Sequence, residues 1–220
     1  MMALSIRTER IRIPLEYMEI EGVLSLPEDA LGVVMFADTG VGARVKPGND
    51  YLGAALRGVR LGTLWLDLLR PEEAQAKAPR PPAALLHARL AAACGWLGRH
   101  PATESLPVAL FGAGEAGAAA LELASGRPAC ICAVVTRGAS VDMVETGTLA
   151  KIAVPTLLIV GSLDDALLAA SRGAYAALRC KKRLEIVPGA TRDFEEPGSP
   201  EVVARLARAW FLQHARFAMA

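Results

Sequence analysis

Apolar and polar positions along the chain repeat at two spacings, which predict strands alternating with helices. Residues 10–14 and 20–26 alternate apolar and polar side chains and predict an antiparallel pair of strands. Later apolar runs are too short for typical helices and predict strands buried on both faces, at 32–37, 62–66, 107–111, 131–135, 155–160 and 183–187. Helical spacing predicts helices at 51–57, 83–97, 117–124, 166–178 and 200–217.

This alternation predicts an α/β fold, a doubly wound and mostly parallel sheet with helices on both sides. The length of 220 residues favours a single domain over 1–220. Two stretches, 70–82 and 136–151, are predicted as surface excursions. Since neither is long enough for a lid domain, we expect an open active face without a large lid.

Composition narrows the choice of partners. The chain is 53% hydrophobic and 21% charged, and 24 basic against 23 acidic residues leave a net charge of +1. No overall field would draw such a chain to nucleic acid or to an anionic membrane, so we expect neither partner. The N-terminus carries charges where a signal peptide is apolar, which predicts a cytoplasmic protein with reduced thiols.

Cysteine and histidine spacing gives no support for a metal. The four cysteines form no CxxC pair, and the three histidines, His87, His100 and His214, show no ligand spacing with them. Cys130 and Cys132 alternate along a predicted strand and are most simply core residues. We expect no metal and no cofactor.

Polar residues collect in the loops that follow the predicted strands, where open α/β sheets place their functional groups. Five such loops are informative, at 38–42, 67–69, 112–117, 161–165 and 188–193. With the flanking segments GVVMFADTG, LWLDLL, LPVALFGAG, VPTLLIVG and VPGATRDFEEPG, their order resembles the α/β hydrolases, and most closely bacterial dienelactone hydrolases. The resemblance covers nearly the whole chain.

The resemblance implies a site that has lost its catalytic triad. In that family a G-x-S-x-G elbow carries the nucleophile, an Asp follows a later strand, and a His follows the last strand. Matched by position, the nucleophile's place is taken by Gly114 and the histidine's by Arg192, while Asp164 stands at the acid position. The loop that normally helps to form the oxyanion hole here begins at Asp38.

Without a nucleophile and a base the chain cannot form an acyl intermediate, because glycine has no attacking atom and arginine stays protonated. The conclusion would not hold if a catalytic triad had moved to other residues of the chain. No histidine falls in a catalytic loop, and among the serines only Ser162 follows a strand near the site, in a loop that is not a sharp elbow. A hydrolase with a migrated triad therefore remains a third reading.

Charged residues replace the triad. Asp38, Glu115, Asp164 and Arg192 are expected to point into one crevice, with a bidentate Arg192–Asp164 pair and Glu115 at a helix amino end. These charges either neutralise one another in a disused pocket or form a recognition or acid/base site. The letters GAGEAG also match a dinucleotide fingerprint, but they lie mid-chain and the elbow explains them equally well.

Two functions compete. The first is a catalytically degenerate binding or accessory protein for a small molecule, peptide or protein, possibly a homodimer. The alternative is a lyase, isomerase or cyclase that uses Glu115 or Asp38 as proton carrier and Arg192 as anion anchor.

Overall fold

One sheet organises the part of the chain that the computed structural model describes, residues 5–40, 44, 46–75, 80–126 and 131–214. Its eight strands lie in the order β1-β2-β4-β3-β5-β6-β7-β8. They are β1 (Ile6–Pro14), β2 (Glu19–Pro27), β3 (Gly32–Ala37), β4 (Leu61–Leu66), β5 (Val108–Ala113), β6 (Ile131–Arg137), β7 (Thr156–Gly161) and β8 (Lys182–Val187). Only the contacts of β2 with β1 and β4 are antiparallel, so the predicted mostly parallel sheet is confirmed.

Helices cover both faces of the sheet. They are α1 (Pro47–Arg57), α2 (Pro71–Ala74), α3 (Ala83–Leu97), α4 (Gly114–Ser125), α5 (Thr146–Leu149), α6 (Asp165–Ala177) and α7 (Ser199–His214). One apolar core contains side chains of α3, α4 and α6, and the other contains side chains of α1 and α7. This arrangement confirms the predicted fold class. That residues 1–220 form a single domain stays a prediction.

Two predictions about exposure were wrong. The stretch 136–151 is not a surface excursion, because β6 continues to Arg137 and Val141, Val144 and Leu149 are buried in the core beside α4 and α6. Its apolar residues fall in short turns with no regular period, so their burial left no pattern in the sequence. Strand β8 is not buried on both faces either, since it forms an edge of the sheet and is mostly half-exposed.

A buried ion pair fixes the excursion 70–82, of which residues 76–79 lie outside the described part. Arg89 of α3 is 3% exposed and donates hydrogen bonds of 2.6 and 2.8 Å to the carboxylate of Glu73 in α2. It also donates to the Leu68 carbonyl at 2.6 Å. The hydrogen bonds from Arg89, and after them those from Arg70, lower the pKa of Glu73 from 4.5 to about 2.

None of the described helices has both the length and the apolar character needed to cross a membrane.

Candidate functional site

The turn between β5 and α4 is a sharp bend at Gly114, the position that the resemblance assigns to the nucleophile. Gly114, the first residue of α4, has φ +53°, and a Cβ placed on it would find no heavy atom within 4 Å. The helix can pack this close to the strand only because residue 112 is a glycine. A Cβ at that position would lie 2.6 Å from the Gly117 Cα. Helix α4 begins at Gly114, three residues before the predicted start at Gly117.

These two glycines should respond differently to alanine. Gly112→Ala is expected to cost about 2–3 kcal/mol, because backbone rather than a movable side chain blocks its Cβ. Gly114→Ala should cost only about 1 kcal/mol, the penalty of a left-handed conformation in open space. Urea unfolding of both variants and the wild type measures the difference, and equal losses would contradict the close packing at Gly112.

Above Gly114 lies a pocket of about 550 Å³, called here the elbow pocket. Of the predicted site residues, Asp38, Glu115, Gly114 and Arg192 line it together. Asp164 does not line it and contacts it only through Arg192. The expectation that all four charged residues point into one crevice is therefore wrong for Asp164.

The Arg192–Asp164 pair exists, but it is not bidentate. Arg192 Nε donates to Asp164 Oδ2 at 3.0 Å, while Asp164 Oδ1 accepts from the backbone N–H of Leu167 at 2.9 Å. One carboxylate oxygen is thus used to cap α6, which leaves a single oxygen for the guanidinium. The Leu167 hydrogen bond, and after it the contacts with Arg192, lower the pKa of Asp164.

The main cation of the elbow pocket was missed in the sequence. Arg137, the last residue of β6, is 14% exposed and lies in register beside Ala113 of β5. Its Nη1 donates to Asn49 Oδ1 at 2.9 Å, and its Nη2 lies 3.6 Å from Asp38 Oδ2. A charge directly after an apolar run was the available signal, but the predicted strand ended at Val135.

Burial and neighbouring charge act in opposite directions on Arg137. Removal from water lowers the pKa of the guanidinium, while the carboxylates of Asp38, Asp193 and Glu195 raise it. Asp38 also accepts the backbone N–H of Gly40 at 2.8 Å, so it holds the shape of its own loop. The buried guanidinium and this loop therefore position each other.

Glu115 is the second residue of α4, at the amino end of the helix, and its carboxylate lies beside a cation. Arg80 Nε lies 3.7 Å from its carboxylate, and Arg80 Nη1 lies 3.5 Å from Asp142. The Glu115 side chain is 22% exposed and faces the elbow pocket. The Glu115 carboxylate could therefore contact a ligand bound in the elbow pocket.

The histidines lie away from this pocket. His100 stacks on Trp96, with ring centroids 4.4 Å apart, and His214 packs against Trp210 at 4.1 Å, where burial lowers its pKa. Neither they nor His87, in α3, line the elbow pocket. None of the three histidines is therefore placed to act as the base of a migrated triad in the elbow pocket.

Two of the remaining candidate nucleophiles have structural contacts. Ser162 Oγ accepts the backbone N–H of Gly189 at 2.9 Å, and Cys132 Sγ lies 3.2 Å from the Val108 carbonyl. Ser140, which the sequence analysis did not single out, follows β6 and is fully buried. Its backbone N–H donates to the Gly114 carbonyl at 3.0 Å, while its Oγ has no hydrogen-bond partner among the described residues. Cys130 lies outside the described residues.

A second pocket of about 920 Å³ adjoins the first across the loop Asp38-Thr39-Gly40. Arg44 and Asp67 are among its lining residues. Burial, followed by the charge of Glu21, raises the pKa of Asp67. Within the described part of the chain, no group of three or more His, Cys, Asp or Glu side chains could hold a metal ion.

The sheet order and the elbow define an α/β hydrolase fold, and known proteins agree. A crystal structure of dienelactone hydrolase from Anabaena variabilis is 37% identical, covers 96% of this chain and 99% of its own, and superposes with a TM-score of 0.89. The chain therefore belongs to the dienelactone hydrolase family. Est1E from Butyrivibrio proteoclasticus, 12% identical over 93% of this chain and 98% of its own with a TM-score of 0.76, shares the fold.

Two curated relatives are longer. The Mycobacterium tuberculosis proteins, from strains CDC 1551 and H37Rv, are 39% identical over 209 residues and carry the provisional name phosphoribosyl transferase. The match covers 95% of this chain but only 47% of theirs, so the chain spans about half the length of these relatives. No family model matches the chain.

Proposed function

We propose that this chain is a non-hydrolytic member of the dienelactone hydrolase family that binds a small molecule in the elbow pocket. One observation carries the proposal. The elbow is formed around Gly114, which has no attacking atom, and the guanidinium of Arg192 donates to Asp164 where the family's histidine would do so. Acyl transfer needs a nucleophile activated by an adjacent base, and neither residue supplies one.

Names of relatives do not decide the matter. The Anabaena variabilis protein is named a hydrolase. That activity would require a nucleophile at the elbow, which the sequence lacks at Gly114. The name of the mycobacterial relatives describes proteins about twice as long, so the transfer reaction is not assigned to this chain.

The test is labelling of the wild-type protein with an active-site fluorophosphonate, together with a screen of short acyl esters. We expect no adduct in intact-mass spectra and no turnover above buffer. Stoichiometric labelling would overturn the proposal, and so would turnover that disappears in Asp164→Ala. The same measurement covers a migrated triad, because an adduct on any other side chain would be mapped by peptide mass.

Glu115 supports a second candidate, a non-covalent acid/base enzyme of the lyase, isomerase or cyclase type. Glu115 lines the elbow pocket together with Arg137 and Arg192, which could hold an anionic substrate. Incubation with small keto acids in D₂O would show this chemistry as exchange of the proton next to the carbonyl. Exchange that Glu115→Gln abolishes and Glu122→Gln leaves intact would favour it over a pure binding role.

The assembly and location of the protein are part of the proposal. We expect a cytoplasmic homodimer, and sedimentation velocity over a range of concentrations tests the oligomeric state.

A further inference from the structure

We propose that the ligand of the elbow pocket carries a phosphoryl group, held between Arg137 and Arg192 above Gly114. This inference rests on the proposed function, because it requires the pocket to hold a ligand rather than an acyl-enzyme. It adds the chemical class of that ligand.

Both guanidinium groups have unused donors. Among the described residues, Arg137 donates one hydrogen bond, from Nη1 to Asn49, and its Nη2 is too far from Asp38 for a hydrogen bond at 3.6 Å. Arg192 likewise donates one, from Nε to Asp164, and both of its Nη atoms have no hydrogen bond there. Since a guanidinium has five N–H donors, each side chain keeps several that an oxyanion could accept.

The end of β6, which carries Arg137, touches the loop that carries Arg192. A Cβ placed on Gly138, the residue after Arg137, would lie 2.4 Å from the Arg192 carbonyl oxygen and 3.4 Å from Arg192 Cγ. Gly114 borders the same pocket and has open space where other members of the fold carry a side chain. The missing side chain therefore leaves room for a small group between the cations and the elbow.

The acids near the pocket leave these N–H donors available. Asp38 lies beside Arg137, Glu115 beside Arg80 and Asp164 beside Arg192, and each arginine of the site uses one N–H in the hydrogen bonds described above. Two more acids that line the pocket, Asp193 and Glu195, are exposed to solvent. Water therefore screens their repulsion of an anion more than it screens the attraction of Arg137, which is 14% exposed.

A phosphoryl group fits these donors better than a carboxylate does. Two guanidinium groups together present several unused N–H donors, and a phosphoryl group offers three acceptor oxygens against the two of a carboxylate. A phosphate monoester also carries about −1.5 to −2 charges near neutral pH, against −1 for a carboxylate.

Isothermal titration calorimetry in phosphate-free buffer at fixed ionic strength tests the proposal, with inorganic phosphate, phenyl phosphate and benzoate as probes. We expect saturable 1:1 binding of phosphate, binding of phenyl phosphate at least as tight, and much weaker binding of benzoate. Arg137→Gln and Arg192→Gln should each weaken phosphate about tenfold or more, the loss of charge-assisted hydrogen bonds. The matched control is Arg44→Gln in the neighbouring pocket, which should change the affinity less than about twofold.

Several results would overturn the inference: no saturable phosphate binding, benzoate as tight as phosphate, exclusion of phenyl phosphate, or loss of binding in Arg44→Gln. If Arg137→Gln fails to fold, Arg192→Gln decides alone, because its side chain is 40% exposed and tolerates replacement. Failure here with no fluorophosphonate adduct leaves the proposed non-hydrolytic function standing. An adduct on the wild type removes that function instead.

Discussion

The double variant Gly114→Ser with Arg192→His is expected to gain a fluorophosphonate adduct and to hydrolyse short acyl esters about a hundredfold faster than the background rate in buffer. The elbow already has the backbone that a nucleophile requires, with φ +53° at residue 114 and no atom within 4 Å of a Cβ there. A histidine at 192 could donate a hydrogen bond to Asp164, because that carboxylate already accepts one from Arg192 at 3.0 Å. A positioned general base contributes about 10² to 10⁴ in rate, and the lower end suits a site not refined for the new residues.

Three controls separate a rebuilt triad from a merely reactive serine. Gly114→Ser alone should label weakly, because it lacks the base, and a third change, Asp164→Asn, should remove most of the gain. The matched control is Gly189→Ser with Arg192→His, which places a serine at another glycine of positive φ and open surroundings. If the double variant were as inert as the wild type, Gly114 and Arg192 would not be the positions of nucleophile and base.

The second large effect concerns stability. Glu73→Ala should lower the free energy of unfolding by about 3 kcal/mol, because it leaves the Arg89 guanidinium, 3% exposed, without a counter-charge. For a chain of this size that corresponds to a fall in Tm of roughly 6–12 °C. Calorimetry of both proteins at neutral pH measures it.

The signature of a buried pair is recovery when both partners are removed. Adding Arg89→Met to Glu73→Ala should restore much of the loss, since no isolated charge then remains in the core. The comparison pair at the sheet edge, Arg183 with Glu185, has an arginine that is 61% exposed, so Glu185→Ala should cost less than about 1 kcal/mol. A double variant no more stable than Glu73→Ala would contradict this account.

The same pair makes stability depend on pH in a known direction. The folded-state pKa of Glu73, about 2, lies below its ordinary 4.5, so its contribution is complete above 4.5 and disappears as pH falls towards 2. The wild type should therefore lose more stability in this window than Glu73→Ala does.

The sheet could be predicted from the sequence because its strands carry dense local signals. Each of β3, β4, β5 and β7 is a six-residue run buried throughout, and its short length distinguishes it from a buried helix. Short turns were the weak point. The buried turn at Val141–Met143 and the helix α5 are too brief to show a period, so only their packing under α4 identifies them as core.

The candidate site was predictable where family motifs supply landmarks, and not where partners depend on geometry. The elbow at Gly114 and the Arg192–Asp164 contact were implied by the resemblance to the family, matched position by position. Arg137 did not, because its role depends on Asn49, which is 88 positions away along the chain. The sequence likewise could not predict that one Asp164 oxygen accepts from Arg192 and the other caps α6, because this depends on side-chain orientation.

The loop that bears Arg192 is wedged between two glycines. A Cβ on Gly161 would lie 2.3 Å from the Ala190 carbonyl, and one on Gly138 would lie 2.4 Å from the Arg192 carbonyl. Since backbone meets backbone at both points, the loop has little freedom to rearrange. The Arg192 guanidinium should therefore have nearly the same position before and after a ligand binds. Association is then expected to proceed in a single kinetic phase and to cost little conformational entropy.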